Sequence, residues 1–191
     1  IFNSHLFHNR VVFLRLQNYK KRITKTIYKN KNQRLEVAKR LQEVAQKAAV
    51  SFIVNDDVEL ACELSADGIH VGQDDAPVQI VKKIAGQNVF VGVSTNTTKE
   101  LQGALADGAD YVGFGPMFPT SSKSDADEVV TEETIRSALE FALPVVTIGG
   151  IGLGNIRTLY DRGFRSFAMI SAVVSQKDIK KAVDDLRQAL K

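Results

Sequence analysis

The chain has 191 residues, a length that suits one compact domain and leaves little room for two. Hydrophobic residues make up 44% and charged residues 25%, as in an ordinary globular protein, and no apolar stretch is long enough to cross a membrane. The net charge of +3 has a local source, because eight of the 25 basic residues lie from Arg10 to Lys31 with no acidic residue among them. No interleaved aromatic platform or nucleic-acid-binding motif accompanies this run, so we expect solvated surface there.

Cys62 is the only cysteine, which excludes a disulfide within the chain and favours a reducing compartment. We expect Cys62 to pack in a helix. No basic, apolar and small-residue signal peptide opens the chain, which begins with Ile1. We therefore expect a cytoplasmic protein.

The front of the chain predicts a weak strand over Val11 to Leu16 and then an amphipathic helix over Arg34 to Val50. One side of that helix is apolar and comprises Leu35, Ala38, Leu41, Val44 and Ala45. From Ser51 onward, short apolar strands alternate with helical patterns, as in parallel strands joined by crossover helices. The strands are predicted at Ser51 to Val54, Gly68 to Val71, Val89 to Val93, Tyr111 to Phe114, Pro144 to Ile148 and Ser166 to Ile170. The helices are predicted at Val58 to Leu64, Val78 to Ile84, Lys99 to Ala106, Glu132 to Phe141, Asn155 to Arg162 and Asp178 to Leu190.

Almost every predicted strand is followed by polar or small residues. In a parallel barrel the carboxyl ends of the strands face one mouth, so these residues would converge on a shared pocket. The sequence thus predicts an α/β protein with its active site in the loops after the strands. The clusters are Asn55 and Asp56, Gly72 to Asp75, Ser94, Gly115 to Lys123, Gly149 and Gly150, and Ser171.

Asp56 and Asp75 follow two successive strands and are candidate ligands for a hard divalent cation. Magnesium typically takes one or two carboxylates, together with waters and substrate phosphate oxygens. Each aspartate is also well placed to cap the helix that follows it, and the sequence leaves both interpretations open. No HExxH, CxxC or histidine cluster supports a zinc site. His70 alternates with apolar neighbours and can be either a core histidine or a participant in the site.

Two further segments are typical of phosphate binding. The loop within Gly113 to Asp127 is long and carries hydroxyls beside Lys123, a combination that suits an anionic phosphate. The segment from Thr147 to Asn155 leaves a strand through two glycines, which allow a phosphate to approach backbone N–H groups closely. A dinucleotide site is not predicted, because GGIGLG lacks the βαβ unit and the following acidic residue.

These motifs resemble the thiamin phosphate synthase family, and they run in order from about Arg34 to the end of the chain. They are NDD at Asn55 to Asp57, ADGIHVGQDD at Ala66 to Asp75, GVS at Gly92 to Ser94, GADYVGFGPMFPTSSK at Gly108 to Lys123, PVVTIGGI at Pro144 to Ile151 and MISAV at Met169 to Val173. The resemblance implies a TIM (β/α)8 barrel. It also implies a transferase of thiamin biosynthesis that joins hydroxymethylpyrimidine diphosphate to a thiazole phosphate, with release of pyrophosphate.

The resemblance implies a role for each matching residue. Asn55 would bind the pyrimidine substrate, Asp56 and Asp75 would ligate Mg²⁺ on its diphosphate, and Ser94 would hydrogen-bond the leaving pyrophosphate. Ser94 and Lys123 are the expected catalytic residues. Phosphate groups would contact Thr120, Ser121, Ser122, Lys123, Gly150, Ile170 and Ser171. The expected partners are these small molecules, without nucleic acid or membrane, and a homo-oligomer stays open.

The front of the chain departs from the family. Members begin with a strand ending in Thr-Asp, a helix, and a second strand ending in Gln-Leu-Arg-Glu-Lys, whereas only VVFLRLQNYKK at Val11 to Lys21 is found here. We therefore expect a single domain over residues 1–191, with an aberrant segment 1–33 and a barrel incomplete at its N-terminus. Two alternatives remain: a thiazole tautomerase of the same fold, and a truncated, non-catalytic homologue that retains phosphate binding.

Overall fold

The computed structural model describes residues 11–13, 31–120 and 128–191 of the chain. Seven strands and eight helices lie within these described residues. Two compact units are distinguished, one comprising Ile1–Ser94 with Ala106–Asp110 and the other Thr95–Leu105 with Tyr111–Lys191. No helix in the described ranges is both long and apolar enough to span a membrane.

The first unit contains strands β1 to β4, which pair in parallel in chain order. Phe52, Ile53 and Val54 are buried in succession, so the strand that carries them is covered on both faces, as a parallel strand between helices must be. The elements are β1 (Val11–Phe13), α1 (Lys31–Lys47), β2 (Ser51–Asn55), α2 (Val58–Leu64), β3 (Gly68–Val71), α3 (Val78–Ala85) and β4 (Phe90–Thr95), whose last residue belongs to the second unit.

Helix α1 confirms the predicted amphipathic helix but begins and ends three residues earlier. Ala38 and Ala45 are buried as predicted, whereas Val44 is 63% exposed. Successive residues are about 100° apart around a helix, so burial of Ala38 and Ala45 turns Val44 toward solvent. Cys62 lies in α2, but its side chain is exposed because Leu60, Ala61 and Leu64 form the buried face of that helix.

The second unit contains β5 to β7, which also pair in parallel in chain order. Its core includes Tyr111, Phe114, Ile156 and Leu159, and the Phe114 ring stacks on Phe164. The elements are α4 (Thr98–Ala106), whose last residue belongs to the first unit, β5 (Tyr111–Phe114), α5 (Glu132–Leu139), β6 (Val145–Ile148), α6 (Ile156–Asp161), β7 (Ser166–Ala168), α7 (Ser171–Val174) and α8 (Ile179–Ala189).

Local signals explain where these helices begin. Thr97 accepts from the N–H of Glu100, whose carboxylate accepts from the N–H of Thr97, so the two residues form a capping box. Thr131 caps α5 by accepting from the N–H of Thr134.

The predicted strand from Ser166 to Ile170 is wrong at its end, since β7 stops at Ala168. The carbonyl oxygen of Ile170 accepts from the N–H groups of Val173 and Val174 and starts the short helix α7, which the sequence does not predict. Four residues are too few for a helical period to be visible in the sequence.

Candidate functional site

The end of β2 turns sharply at Asp56. Asn55 is the last strand residue and lies opposite His70 of β3, whose carbonyl oxygen accepts from the N–H of Asp56 at 2.8 Å. Asp56 has a φ of 64°, in the left-handed region that aspartate tolerates better than most side chains. The helix cap after this turn is Asp57, which accepts from the N–H of Leu60. The alternative interpretation of Asp56 as a helix cap is therefore wrong.

The side-chain amide of Asn55 stands out within the described part of the chain. Its Nδ2 is buried and has no hydrogen-bond partner. A buried donor without a partner destabilises a protein by about 1–3 kcal/mol, so its presence calls for an explanation. A ligand that accepts a hydrogen bond at the carboxyl end of β2 provides one.

Asp75 lies after β3 in an exposed turn. Its Oδ2 accepts from the N–H of Gly72 at 2.7 Å, so the carboxylate is held against the turn that leaves the strand. The residue at the N-cap of α3 is Pro77, and this helix has no side-chain cap hydrogen bond. The capping interpretation of Asp75 is therefore wrong as well.

The two aspartates can be tested against a divalent cation through their donor set. They follow neighbouring parallel strands of one unit and offer hard carboxylate oxygens, the donor type that magnesium prefers. The described residues contain no group of three or more histidine, cysteine or acidic side chains arranged around a metal. Two carboxylates fit an ion that takes its other ligands from water and a phosphorylated substrate.

Ser94 is held at the end of β4 by two side chains. Its Oγ lies 2.9 Å from Nε2 of His70, and its carbonyl oxygen accepts from Nε2 of Gln73 at 2.6 Å. These contacts fix both the hydroxyl and the backbone of Ser94, so His70 participates in this cluster. Sequence reasoning included Gln73 in the cluster from Gly72 to Asp75 but assigned it no role of its own.

In the second unit, the loop after β5 and the turn after β6 contact each other through backbone groups instead of charged side chains. The N–H of Met117 donates to the carbonyl oxygen of Ile148, and the N–H of Phe118 donates to that of Gly149. Gly149 and Gly150 have φ values of 96° and 62°. A Cβ on Gly149 would lie 2.5 Å from Cα of Pro116, and one on Gly150 would lie 2.6 Å from the carbonyl oxygen of Pro119. Glycine is required at both positions, because the loop after β5 packs directly on the turn after β6.

The remaining predicted site residues are distributed along the second unit. Thr120 is half-buried at the edge of the described residues, while Ser121, Ser122 and Lys123 lie outside them. Ile170 and Ser171 do not end the last strand as predicted, but lie at the start of α7. The structure brings Asp56, His70 and Ser94 together in the first unit, and it brings the loop Pro116 to Pro119 onto Gly149 and Gly150 in the second.

Known proteins resemble this chain over most of its length. The family described as thiamine monophosphate synthase matches residues 5–173, including the front segment in which the sequence alone shows no family motif. A thiamine-phosphate synthase of Lactococcus lactis subsp. lactis is 54% identical over 87% of this chain and 78% of its own length. One of Methanocella arvoryzae is 42% identical over 80% of this chain and 73% of its own length.

Solved structures agree with these relatives. A thiamine phosphate pyrophosphorylase from Pyrococcus furiosus has a TM-score of 0.77 and 31% identity, over 94% of this chain and 82% of that protein. A 3-hexulose-6-phosphate synthase, at 16% identity and a TM-score of 0.61, shares the fold. The predicted fold class, α/β of the TIM-barrel type, is thereby confirmed. The predicted incompleteness of the barrel concerns residues 1–33, most of which lie outside the described residues.

Proposed function

Because the chain belongs to the thiamine monophosphate synthase family, a family of transferases, we propose that it joins hydroxymethylpyrimidine diphosphate to thiazole phosphate, releasing pyrophosphate and forming thiamin phosphate. The observation that carries the proposal is the buried amide of Asn55, whose Nδ2 has no partner among the described residues. An acceptor nitrogen or oxygen of the pyrimidine satisfies this donor. The amide then orients the ring at the carboxyl end of β2.

Asp56 and Asp75 are the proposed ligands of Mg²⁺. A magnesium ion bound there neutralises charge on the substrate diphosphate. The left-handed turn places Asp56 directly after β2, and the bond from the N–H of Gly72 holds the carboxylate of Asp75 against the turn after β3. The Asp75 carboxylate is therefore oriented by the backbone before substrate binds.

Ser94 is proposed to donate a hydrogen bond from its hydroxyl group to the departing pyrophosphate. The contact with His70 fixes where the hydroxyl oxygen lies, and the bond from Gln73 fixes the strand end that carries it. A donor that is already oriented requires little reorganisation when charge develops on the leaving group.

Phosphate binding is assigned to the second unit. The backbone of Gly150 and the residues Ile170 and Ser171 are proposed to bind the thiazole phosphate. A Cβ at Gly150 would clash with the preceding loop, so glycine is needed for the packing that fixes this backbone. The loop residues Thr120, Ser121, Ser122 and Lys123 are proposed to bind the phosphate and pyrophosphate groups, with Lys123 stabilising negative charge.

The proposed reaction breaks the bond between the pyrimidine methylene carbon and the diphosphate oxygen. The electron pair leaves with pyrophosphate, and the thiazole nitrogen then forms a new bond to the methylene carbon. The protein orients the two rings, stabilises the charge on the leaving group and excludes water. No side chain of the protein needs to form a covalent bond with substrate.

The synthase is favoured over a tautomerase or a non-catalytic phosphate-binding homologue. Thiamine-phosphate synthases match at up to 54% identity, and the carboxylate pair suits a diphosphate substrate that a tautomerase does not use. We place the enzyme in the cytoplasm on the ground of its single cysteine, with small molecules as its partners and a homo-oligomer left open.

Turnover of the purified protein tests the proposal. Protein, MgCl₂ and both phosphorylated substrates should yield thiamin phosphate and pyrophosphate in equal amounts, and omission of either substrate should abolish both products. Lys123→Ala should lower turnover and raise the KM for thiazole phosphate, while the exposed Lys83→Ala serves as a matched control. Absence of product from a folded protein with both substrates present would contradict the proposed activity.

A further inference from the structure

Asn155 places both of its side-chain polar atoms on the turn after β6. Its Nδ2 donates to the carbonyl oxygen of Gly150 at 2.9 Å, and its Oδ1 accepts from the N–H of Gly152 at 2.8 Å. The backbone N–H of Asn155 also donates to the carbonyl oxygen of Gly152. Asn155 therefore closes the segment from Gly150 to Gly152 into a compact loop.

This use of Asn155 is unusual for its position in the chain. Asn155 is the N-cap of α6, where an asparagine normally accepts from the N–H groups of the first helical turn. Its side chain makes no such bond to the described helix. Both polar atoms point back along the chain, so the side chain supports the loop instead of the helix.

Gly150 is consequently fixed from both sides. The carbonyl oxygen of Gly149 accepts from the N–H of Phe118, and the N–H and C=O of a trans peptide point in opposite directions. The N–H of Gly150 is therefore directed away from the main chain of Phe118. The second peptide plane of Gly150 is held by Asn155, and together the two planes define its φ of 62°.

We propose that Asn155 is a positioning residue, which fixes the backbone of Gly150 so that its N–H is directed at the phosphate of the thiazole substrate. This inference rests on the proposed function, in which Gly150 binds that phosphate. A glycine with this φ has other conformations within reach, and the two bonds from Asn155 select one of them. The contribution of Asn155 is thus made in the free enzyme, before the ligand arrives.

The test compares binding of thiazole phosphate with binding of the unphosphorylated thiazole alcohol by calorimetry, using the full chain. The wild type should prefer the phosphate, and Asn155→Ala should reduce that preference roughly tenfold, the size expected for a mispositioned hydrogen bond to a charged group. Asn155→Asp keeps an acceptor for Gly152 but sets a carboxylate oxygen against the carbonyl oxygen of Gly150, which repels it, so the phosphate preference should fall at least as much as in Asn155→Ala. The exposed Asn88→Ala is the control and should retain the wild-type preference.

Two results would overturn different parts of the proposal. If the wild type does not distinguish phosphate from alcohol, the assignment of Gly150 is wrong, and the inference about Asn155 falls with it. If the wild type discriminates and Asn155→Ala and Asn155→Asp discriminate equally well, only the positioning role is wrong. Thermal unfolding identifies a variant that does not fold. If Asn155→Ala does not fold, the phosphate preference of Asn155→Asp, which retains one of the two side-chain bonds, tests the positioning role.

Discussion

The two units of this protein offer different chemistry at the carboxyl ends of their strands. The first presents side chains, namely the amide of Asn55, the carboxylates of Asp56 and Asp75 and the hydroxyl of Ser94. The second presents backbone around Gly149 and Gly150, where a Cβ would clash with the neighbouring loop. The proposed roles explain this difference, because a metal-linked diphosphate requires charged ligands, whereas a phosphate can be bound by peptide N–H groups that carry no net charge.

The largest effect should come from removing the carboxylates of the first unit. Asp56→Asn with Asp75→Asn retains the shape of both side chains, and asparagine also tolerates the left-handed φ of Asp56. We expect turnover to fall by about 100-fold or more, because the proposed magnesium ion would contribute several kcal/mol of charge stabilisation. Steady-state turnover across a MgCl₂ titration measures this loss.

The neighbouring Asp74 provides the control for the double variant. Asp74 is exposed and is not among the proposed ligands, so Asp74→Asn should retain wild-type turnover and magnesium dependence. Equal turnover of the wild type and the double variant would remove the two aspartates from the metal site.

The second-largest effect should come from a single methyl group in the second unit. Gly149→Ala places a Cβ 2.5 Å from Pro116 at a φ of 96°. We expect the free energy of unfolding to fall by at least about 2 kcal/mol, since left-handed strain alone accounts for 1–2 kcal/mol. Chemical denaturation provides the measurement.

Gly154→Ala is the matched control, because nothing lies within 4 Å of its added Cβ. Its stability should stay within about 0.5 kcal/mol of the wild type. If the two alanine variants were equally stable, the close approach of the two loops in the second unit would be wrong.

A smaller effect is expected from removing the His70 side chain, which contacts the hydroxyl of Ser94. His70→Ala leaves the Ser94 hydroxyl in place but removes the partner 2.9 Å away, so turnover should fall by about tenfold. The same substitution in a Ser94→Ala background should have no further effect, because the two residues act through one contact. Additive losses in this double-mutant cycle would show that His70 acts independently of Ser94.

The sequence anticipates the functional groups of this protein better than the contacts that position them. The alternation of strands and helices could be read from the sequence pattern. The candidate residues Asn55, Asp56, Asp75 and Ser94 could be proposed from short motifs, because each carries its own functional group. The roles of Gln73 and Asn155 could not, because each depends on hydrogen bonds to a backbone that only the folded chain brings near. The burial of the Asn55 amide likewise depends on packing, and no local pattern indicates it.

The smallest effect is expected from an exposed ion pair on α8. Nζ of Lys180 lies 2.6 Å from Oδ2 of Asp184. This hydrogen bond and the positive charge of Lys180 lower the pKa of Asp184 below its ordinary value. A lowered folded-state pKa stabilises the protein above the unfolded-state pKa, and that contribution is lost as the pH falls through the folded value. Both side chains are exposed, so Lys180→Ala should leave the melting temperature at pH 7 nearly unchanged.

Thermal unfolding of Lys180→Ala at pH 7 and below pH 3 provides the measurement. Any difference in melting temperature between Lys180→Ala and the wild type should be greater at pH 7 than below pH 3. A difference that grows on acidification would contradict the assigned direction of the Asp184 pKa shift.

We propose that side chains of the first unit bind the pyrimidine diphosphate and that backbone of the second unit binds thiazole phosphate. The KM for each substrate in two variants tests this most directly. Asn55→Leu removes the buried amide, so it should raise the KM for the pyrimidine diphosphate about tenfold and leave the KM for thiazole phosphate unchanged. Gly149→Ala should raise the KM for thiazole phosphate and leave the KM for the pyrimidine diphosphate unchanged, because it displaces the backbone of Gly150. If both variants raised the same KM, or if neither KM changed, the assignment of one substrate to side chains and the other to backbone would be contradicted.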